Sequence, residues 1–261
     1  MITSSANGKV KQVMNLIKKS KARNESGLFV AEGFRIVKEI PENQIDSLYV
    51  SESFLKEEER KKFLNGKRHE ILSDGVFEVM SDTKTPQGIL ALVKQHTYQV
   101  EDLLAAPGPA LLMILENIQD PGNLGTIIRA GEGAGITGVL MSRTTADIYN
   151  PKVIRSTMGS VFRVPFAYTD ELAVSINKLK EKGIRMYAAH LEGRNNYEKE
   201  DYTVDTGFII GNEANGLTKE TAMLADTYIK IPMLGSVESL NAAVAASVLM
   251  FETARQRRAE K

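Results

Sequence analysis

The sequence predicts an α/β protein with a small N-terminal α/β domain and a larger C-terminal domain built on a mostly parallel sheet. Beyond residue 108, short apolar segments alternate with amphipathic helical segments, as they do in parallel sheets covered by helices on both faces. A stretch with a polar start and a Pro-Gly-Pro end marks a boundary before this alternation begins. We therefore predict domains at residues 1–96 and 109–261, joined by a linker at residues 97–108.

The N-terminal domain is predicted as a compact unit of short elements. Apolar residues at helical spacing among lysines predict an amphipathic helix over residues 9–23. A short strand running into a second helix is predicted within residues 28–40. The remaining predicted elements are buried strands over residues 45–51, 69–73 and 88–94 and a helical turn over residues 74–82.

In the C-terminal domain, three segments rich in glycine and asparagine follow predicted strands, where open parallel sheets bind their ligands. The last helix is apolar nearly all round, which predicts burial on every side, at a dimer interface or inside one subunit. The predicted strands cover residues 110–117, 137–142, 184–191, 206–212 and 227–233, and the predicted helices residues 122–135, 150–161, 170–183, 217–226 and 239–258.

Composition excludes several kinds of protein. The chain has no cysteine, and its three histidines are far apart, so we expect no disulfide and no metal site. No signal peptide is evident and no apolar run approaches the roughly 20 residues of a membrane span, so we expect a cytoplasmic protein. Net charge is zero, but residues 1–24 hold six basic residues and no acidic one. Such a basic segment is suited to binding a nucleic-acid phosphate backbone. The alternative is a solvated helix face without a partner.

The glycines of GEGAG, residues 131–135, suggest a dinucleotide-binding loop, but their order in the chain opposes this. Such a loop must follow a strand and open a helix, whereas GEGAG follows a helix and precedes a strand. The loop with the required order is NIQDPGNLG, where Asp120 and Pro121 suit a helix start. Asn123 and Arg129 suit a phosphate or sugar hydroxyl, the alternative being an N-cap and a surface arginine.

Three segments together resemble, in order and spacing, the motifs of the SpoU/TrmH family of RNA ribose 2′-O-methyltransferases, of the SPOUT class. They are NIQDPGNLGTIIRAGEGAG, FIIGNEANGL and IKIPMLGSVESLNAAVAASVLMFE. The segment NPKVIRSTMGSVFRVPF resembles the family's sequence between the first two motifs. RNESGLFVAEGFRIVKE and TPQGILALV are similar to the small RNA-binding domain often fused to this enzyme, and they include Glu32, Gly33, Gln87 and Gly88.

The resemblance implies a C-terminal SPOUT domain with a deep trefoil knot, S-adenosylmethionine as cofactor, and an obligate homodimer with the active site at its interface. It also places the donor against backbone groups of Gly211, Ile231 and Leu240. Free backbone groups at strand ends agree with this role, because adenine edges need such partners.

By the same resemblance Arg129 is the catalytic residue that activates the ribose hydroxyl. Because a guanidinium is hardly ever deprotonated in proteins, clamping a phosphate and orienting the hydroxyl is the role that chemistry favours. Asn123, Glu213, Ser239 and Asn241 match the other polar positions of the family's site. The last two also stand where a helix cap is expected, and since one cap suffices, Asn241 is the stronger candidate for the site.

The N-terminal domain is expected to select the RNA. The candidates for phosphate contacts are Lys9, Lys11, Lys18, Lys19, Arg23 and Arg35, with Arg155 of the second domain. Folded RNA is recognised largely by shape and backbone. Our hypothesis is methylation of a ribose 2′-hydroxyl in structured RNA, with ribosomal RNA as the expected substrate. The alternatives are transfer RNA as substrate, a non-catalytic RNA-binding or ribosome-assembly protein, and a dinucleotide enzyme.

Overall fold

The computed structural model describes residues 1–259 and divides them into two compact units. The first unit comprises residues 1–96 and 147–162, and the second comprises residues 97–146 and 163–259. The segment 147–162, which the predicted boundaries assign to the C-terminal domain, makes its contacts with the first unit. There the ring of Tyr149 lies 4.6 Å from that of Phe29, centroid to centroid.

Each predicted strand is present, and the structure adds the helix Glu58–Leu64 and the strands Phe166–Thr169 and Asn195–Asn196, which were not predicted. The strands are β1 (Leu28–Glu32), β2 (Ile45–Ser51), β3 (Glu70–Leu72), β4 (Ile89–Lys94), β5 (Leu111–Leu115), β6 (Gly138–Ser142), β7 (Phe166–Thr169), β8 (Arg185–Ala189), β9 (Asn195–Asn196), β10 (Thr206–Ile210) and β11 (Thr227–Lys230). The α-helices are α1 (Gly8–Lys18), α2 (Ser20–Ser26), α3 (Phe34–Glu39), α4 (Glu58–Leu64), α5 (Asp74–Met80), α6 (Pro121–Ala134), α7 (Pro151–Thr157), α8 (Leu172–Glu181), α9 (Lys219–Ala222) and α10 (Ala242–Ala259).

The first unit is organised around a four-stranded sheet with strand order β1, β4, β2, β3. The single helix predicted over residues 9–23 is two helices, because Lys19 takes an extended conformation (φ −124°, ψ 116°) between them. The amphipathic pattern is confirmed, since Val10, Val13 and Leu16 are buried on one face of α1. The Asn7 side chain begins this helix by accepting a hydrogen bond from the Lys9 amide at 2.9 Å.

The second unit has a seven-stranded sheet with strand order β7, β6, β5, β10, β8, β11, β9, and every pairing is parallel. The predicted parallel sheet is therefore confirmed. All residues of β5 and β10 are buried, which matches their continuous apolar sequences. Because parallel strands end at the same edge, the loops after β5, β10 and β11 lie along one edge of the sheet.

Within this one chain helix α10 is buried on one side only, so burial inside one subunit is wrong, while burial of the other side at a dimer interface stays a prediction. Ala246, Leu249 and Met250 are buried, whereas Val244 and Phe251 are each 47% exposed. Positions 244, 248 and 251 form one stripe of the helix surface, and this stripe is apolar. No helix within residues 1–259 is both long and apolar enough to cross a membrane.

The glycines of GEGAG end helix α6, as predicted. Gly135 has a left-handed backbone (φ 81°), and the amide of Ile136 donates to the carbonyl of Gly131 at 2.9 Å, as in a glycine-terminated helix. A Cβ atom on Gly131 would lie 2.3 Å from Cδ1 of Ile136, so this glycine lets the returning chain pack closely. The dinucleotide interpretation is thereby excluded, because no helix begins at these residues.

Two neighbouring glycines should respond in opposite directions to alanine. Gly135→Ala should lower the free energy of unfolding by about 1–2 kcal/mol, because alanine is strained at positive φ. Gly133→Ala is the matched control: its Cβ would lie 3.7 Å from the Phe251 ring in ordinary contact, in a helical conformation. It should be neutral or stabilising by up to about 1 kcal/mol. Urea unfolding measures both, and equal effects would contradict this assignment.

Candidate active site

Asn123 is positioned by the start of helix α6. The Asp120 side chain caps this helix by accepting a hydrogen bond from the Asn123 amide at 2.8 Å, and Pro121 occupies the first turn. The residues expected to begin the helix therefore do so. Because α6 starts at these residues, the Asn123 side chain lies at the carboxyl edge of the sheet, next to the loops that follow β10 and β11.

Three predicted site residues form one chain of hydrogen bonds. Nδ2 of Asn123 donates to Oε1 of Glu213 at 2.8 Å, and Oδ1 of Asn123 accepts from Nδ2 of Asn241 at 3.0 Å. Each residue belongs to a different predicted motif. An asparagine amide is suited to the central place because it carries a donor and an acceptor. We call Glu213, Asn123 and Asn241 the polar triad.

The Glu213 carboxylate accepts further hydrogen bonds from the backbone amides of Gln119 and Asp120, both at 3.3 Å. Partial burial raises the pKa of Glu213, but the hydrogen bonds from Asn123 and from these amides together lower it by more. The pKa of Glu213 therefore lies below its ordinary value. Glu213 is therefore a fully charged acceptor at neutral pH. It holds the loop after β5 against the loop after β10.

Asn241 has two functions at once. Its Oδ1 accepts the backbone amides of Ala243 at 2.9 Å and Val244 at 3.3 Å, which caps helix α10, while its Nδ2 binds Asn123. Cap and site are alternatives for Asn241 when only the sequence is considered, and the structure shows that one amide does both. Ser239 is exposed and makes no hydrogen bond with the described residues, although it lines the cavity described next.

A cavity of about 620 Å³ lies between the loops after β8, β10 and β11. The three positions predicted to bind the donor, Gly211, Ile231 and Leu240, all line it. Gly211 has no room for a side chain, since an added Cβ would lie 2.2 Å from the carbonyl carbon of Gly216. The cavity wall here is therefore bare backbone, which suits a ligand that is recognised through main-chain groups.

Further charged or polar side chains around this cavity were not predicted. His190, Lys230 and Glu238 line it, with His190 following strand β8. The sequence offers only a weak signal for His190, namely its place near the end of a predicted strand. Metal-ligand spacing does not single out His190, because the three histidines are far apart in the sequence. No group of three or more His, Asp or Glu side chains within residues 1–259 is arranged to hold a metal ion.

Arg129 is not joined to the polar triad. Its side chain lies on the exposed surface of helix α6 and makes no hydrogen bond or ion pair with any residue in the range 1–259. A guanidinium without a protein partner keeps all five donors for an external ligand. The exposed position of Arg129 is thus compatible with binding a phosphate. It is equally compatible with the alternative stated from the sequence, that Arg129 is a surface arginine.

The cations predicted to bind RNA differ in their availability. The prediction for Arg23 does not fit the structure: its side chain is 4% exposed, donates to Asp147 at 2.5 Å and to the Leu16 carbonyl at 2.6 Å, and so has a structural role. Lys9 is exposed but paired with Glu70. Four others, Lys11, Lys18, Lys19 and Arg35, are exposed without a partner among residues 1–259.

Arg155 lies on helix α7 of the first unit. Its Nη2 donates to Asp82 at 2.9 Å, while its Nη1 is buried without a hydrogen-bond partner among the described residues. The ion pair uses one side of the guanidinium. Arg155 is therefore only partly available to an RNA phosphate.

Comparison with known proteins connects these features. The SpoU rRNA Methylase family matches residues 110–251, and the MRM3-like substrate binding domain matches residues 7–91. The 23S rRNA (guanosine(2553)-2′-O)-methyltransferase RlmP of Bacillus subtilis (strain 168) is 33% identical over 252 residues, which cover 96% of this chain and 97% of that protein.

Two solved structures show the same architecture. The SpoU methyltransferase AviRb from Streptomyces viridochromogenes, solved with the cofactor AdoMet, superposes with a TM-score of 0.87 at 26% identity, covering 97% of this chain and 98% of its own. The AdoMet-bound rRNA methyltransferase from Sinorhizobium meliloti has a TM-score of 0.82 at 29% identity and covers 97% of both chains. The sequence match spans both domain regions and the structural match spans nearly the whole chain. The protein therefore belongs to the SpoU rRNA methylase family.

Proposed function

We propose that this protein transfers a methyl group from S-adenosylmethionine to a ribose 2′-hydroxyl of ribosomal RNA. The observation that carries the proposal is the polar triad, which joins the three family motifs beside a cavity lined by the predicted donor positions. The Bacillus relative is named as a 23S rRNA 2′-O-methyltransferase, which supports ribosomal RNA, and 23S RNA is the first substrate to test.

The cavity fits the proposed donor in size and chemistry. Its volume of about 620 Å³ lies in the range typical of cofactor sites. Bare backbone at Gly211 and main-chain groups at Ile231 and Leu240 suit an adenine edge, and Glu213 and Glu238 add negative charge for a cationic ligand. When bound there, S-adenosylmethionine supplies an electrophilic methyl group on a positively charged sulfur.

The residues of this chain would act by alignment. Methyl transfer to a hydroxyl oxygen is an in-line displacement, so holding the ribose in the correct orientation contributes much of the rate. Asn123 is fixed at both ends of its amide and would hold the loop that meets the ribose. The low pKa of Glu213 makes its carboxylate a weak base, so we assign it the same orienting role.

We assign to Arg129 a clamp on the RNA phosphate next to the target ribose. A guanidinium offers paired donors that match phosphate geometry. Lys11, Lys18, Lys19 and Arg35 are the cations of the first unit that we propose to contact the RNA backbone. Binding through them should weaken as salt increases, because each phosphate contact releases counterions.

A homodimer, a trefoil knot and a cytoplasmic location also belong to this proposal. The exposed apolar stripe of α10 at positions 244, 248 and 251 supports a second copy of the chain as its cover. Family membership and the place of β10 between β5 and β8 support the knot. A cytoplasmic location follows from ribosomal RNA as the proposed substrate.

Two alternatives can be separated from the proposal by one assay. Transfer RNA is one, and a non-catalytic RNA-binding protein is the other, although the intact polar triad disfavours the latter. Tritium transfer from labelled S-adenosylmethionine should appear in ribosomal RNA from a strain lacking this gene, and not in its transfer RNA. Label in transfer RNA alone would overturn the substrate assignment. No label in either, together with no donor binding by calorimetry, would overturn the enzyme assignment.

Arg129→Ala should lower methyl transfer about 100-fold or more while leaving donor affinity within about twofold, since Arg129 is assigned to RNA and not to the donor. Arg143→Ala is the control, because Arg143 is an exposed arginine already paired with Asp170. It should transfer methyl groups at the normal rate. A collapse of donor affinity in Arg129→Ala would show that the clamp is misassigned.

Val244→Glu should make the protein monomeric at micromolar concentration, because a charge would be buried without a partner at the proposed dimer interface. Val174→Glu is a matched control: Val174 is 45% exposed, close to the 47% of Val244, but lies on helix α8. It should leave the dimer intact. Sedimentation equilibrium distinguishes the states, and a wild-type monomer would refute the dimer.

A further inference from the structure

The loop of residues 211–217 forms one wall of the cavity assigned to the donor. Every residue from Gly211 to Leu217 lines that cavity. This loop runs from the end of β10 to the start of helix α9, so something must hold both ends if it is to be rigid. Two consecutive residues at the end of strand β5, Glu116 and Asn117, do this.

Glu116 holds the far end of the loop. Its carboxylate accepts hydrogen bonds from the amide and the hydroxyl of Thr218, each at 2.8 Å, and from the hydroxyl of Thr221 at 2.5 Å. Glu116 itself does not line the donor cavity. Three donors on one carboxylate are a strong set, because hydrogen bonds to an ionised acceptor are about twice as strong as neutral ones.

Asn117 holds the near end. Its carbonyl accepts a hydrogen bond from Nδ2 of Asn212 at 2.9 Å, and its amide donates to Oγ of Ser142 at 2.9 Å. Asn117 has φ 57°, a left-handed conformation that is uncommon for a residue other than glycine. This backbone conformation directs the Asn117 carbonyl toward Asn212 in the loop. Strain of this kind persists where surrounding contacts impose it, often next to binding sites.

These contacts could instead serve only the stability of helix α9, which Thr218 caps. That helix has only four residues, Lys219–Ala222, of which Thr221 and Ala222 are buried. The loop it follows, in contrast, supplies seven consecutive residues of the cavity wall. The position of the contacts, at both ends of this loop, favours a role in shaping the cavity.

We propose that Glu116 is a positioning residue for the methyl donor, holding the loop of residues 211–217 in its binding conformation before the donor arrives. A loop ordered in advance avoids the entropy cost of ordering during binding, so the benefit is in donor affinity. This inference rests on the proposed function, because it takes the ligand to be S-adenosylmethionine. Glu116 acts through Thr218 and Thr221 and does not touch the donor.

The test is calorimetric titration of the full chain with S-adenosylmethionine. Glu116→Gln sets an amide group against the Thr218 and Thr221 donors and should weaken donor binding about 10-fold or more. In methyl-transfer assays on ribosomal RNA, KM for the donor should rise by the same factor, with kcat at saturating donor within about twofold. Glu220→Gln is the control, an exposed glutamate on α9 without a partner among residues 1–259. It should bind as the wild type does.

Thr221 provides a second, milder variant in case Glu116→Gln folds poorly. Thr221→Val removes only the hydroxyl that donates to Glu116 and should also weaken donor binding, whereas Thr221→Ser keeps the hydroxyl and should restore it. Wild-type affinity in folded Glu116→Gln, or equal affinities in the two Thr221 variants, would overturn the inference. If the wild type itself bound no S-adenosylmethionine, the proposed function would fail instead, so the two failures are distinguishable.

Discussion

The active-site region depends on one constraint, that the Asn123 amide must donate to Glu213 and accept from Asn241 at the same time. These partners are 90 and 118 residues away in the chain. The parallel sheet makes the constraint satisfiable, because β5, β10 and β11 end at one edge and bring their loops together. The cap of α6 then fixes Asn123 itself through Asp120. The parallel sheet and the cap of α6 are therefore both needed for the hydrogen bonds of Asn123.

The proposed function assigns donor binding and RNA binding to groups of different chemistry. The cavity proposed for the donor has bare backbone at Gly211, where there is no room for a side chain, and the loop of residues 211–217 is held through Thr218 by Glu116 at the end of β5. Under the proposed function, contacts to the RNA are made by long cations without a partner among residues 1–259, of which Arg129 is the example in this unit. A preorganised pocket suits a small ligand, whereas free cations suit a phosphate backbone that arrives from solution.

Much of this fold could be predicted from the sequence because the decisive signals are local. The continuous apolar runs of β5 and β10 and the helix-ending Gly135 act within a few residues. The position of β10 between β5 and β8 could not be predicted, since strand order depends on pairings between distant segments. The burial of Arg23 was missed for the same reason: its partner Asp147 is 124 residues away. In the site, the resemblance named Asn123, Glu213 and Asn241 among five candidates, but their mutual hydrogen bonds, and the double use of Asn241 as cap and as partner of Asn123, depended on geometry.

The most direct test of this account is a double-mutant cycle between Asn123→Ala and Asn241→Ala, with methyl transfer to ribosomal RNA as the readout. If the triad works as one unit, either substitution breaks it, and the double variant should lose little more activity than the worse single variant. If the two losses in rate multiply, the residues act independently. That result would contradict the claim that a single shared amide organises the site.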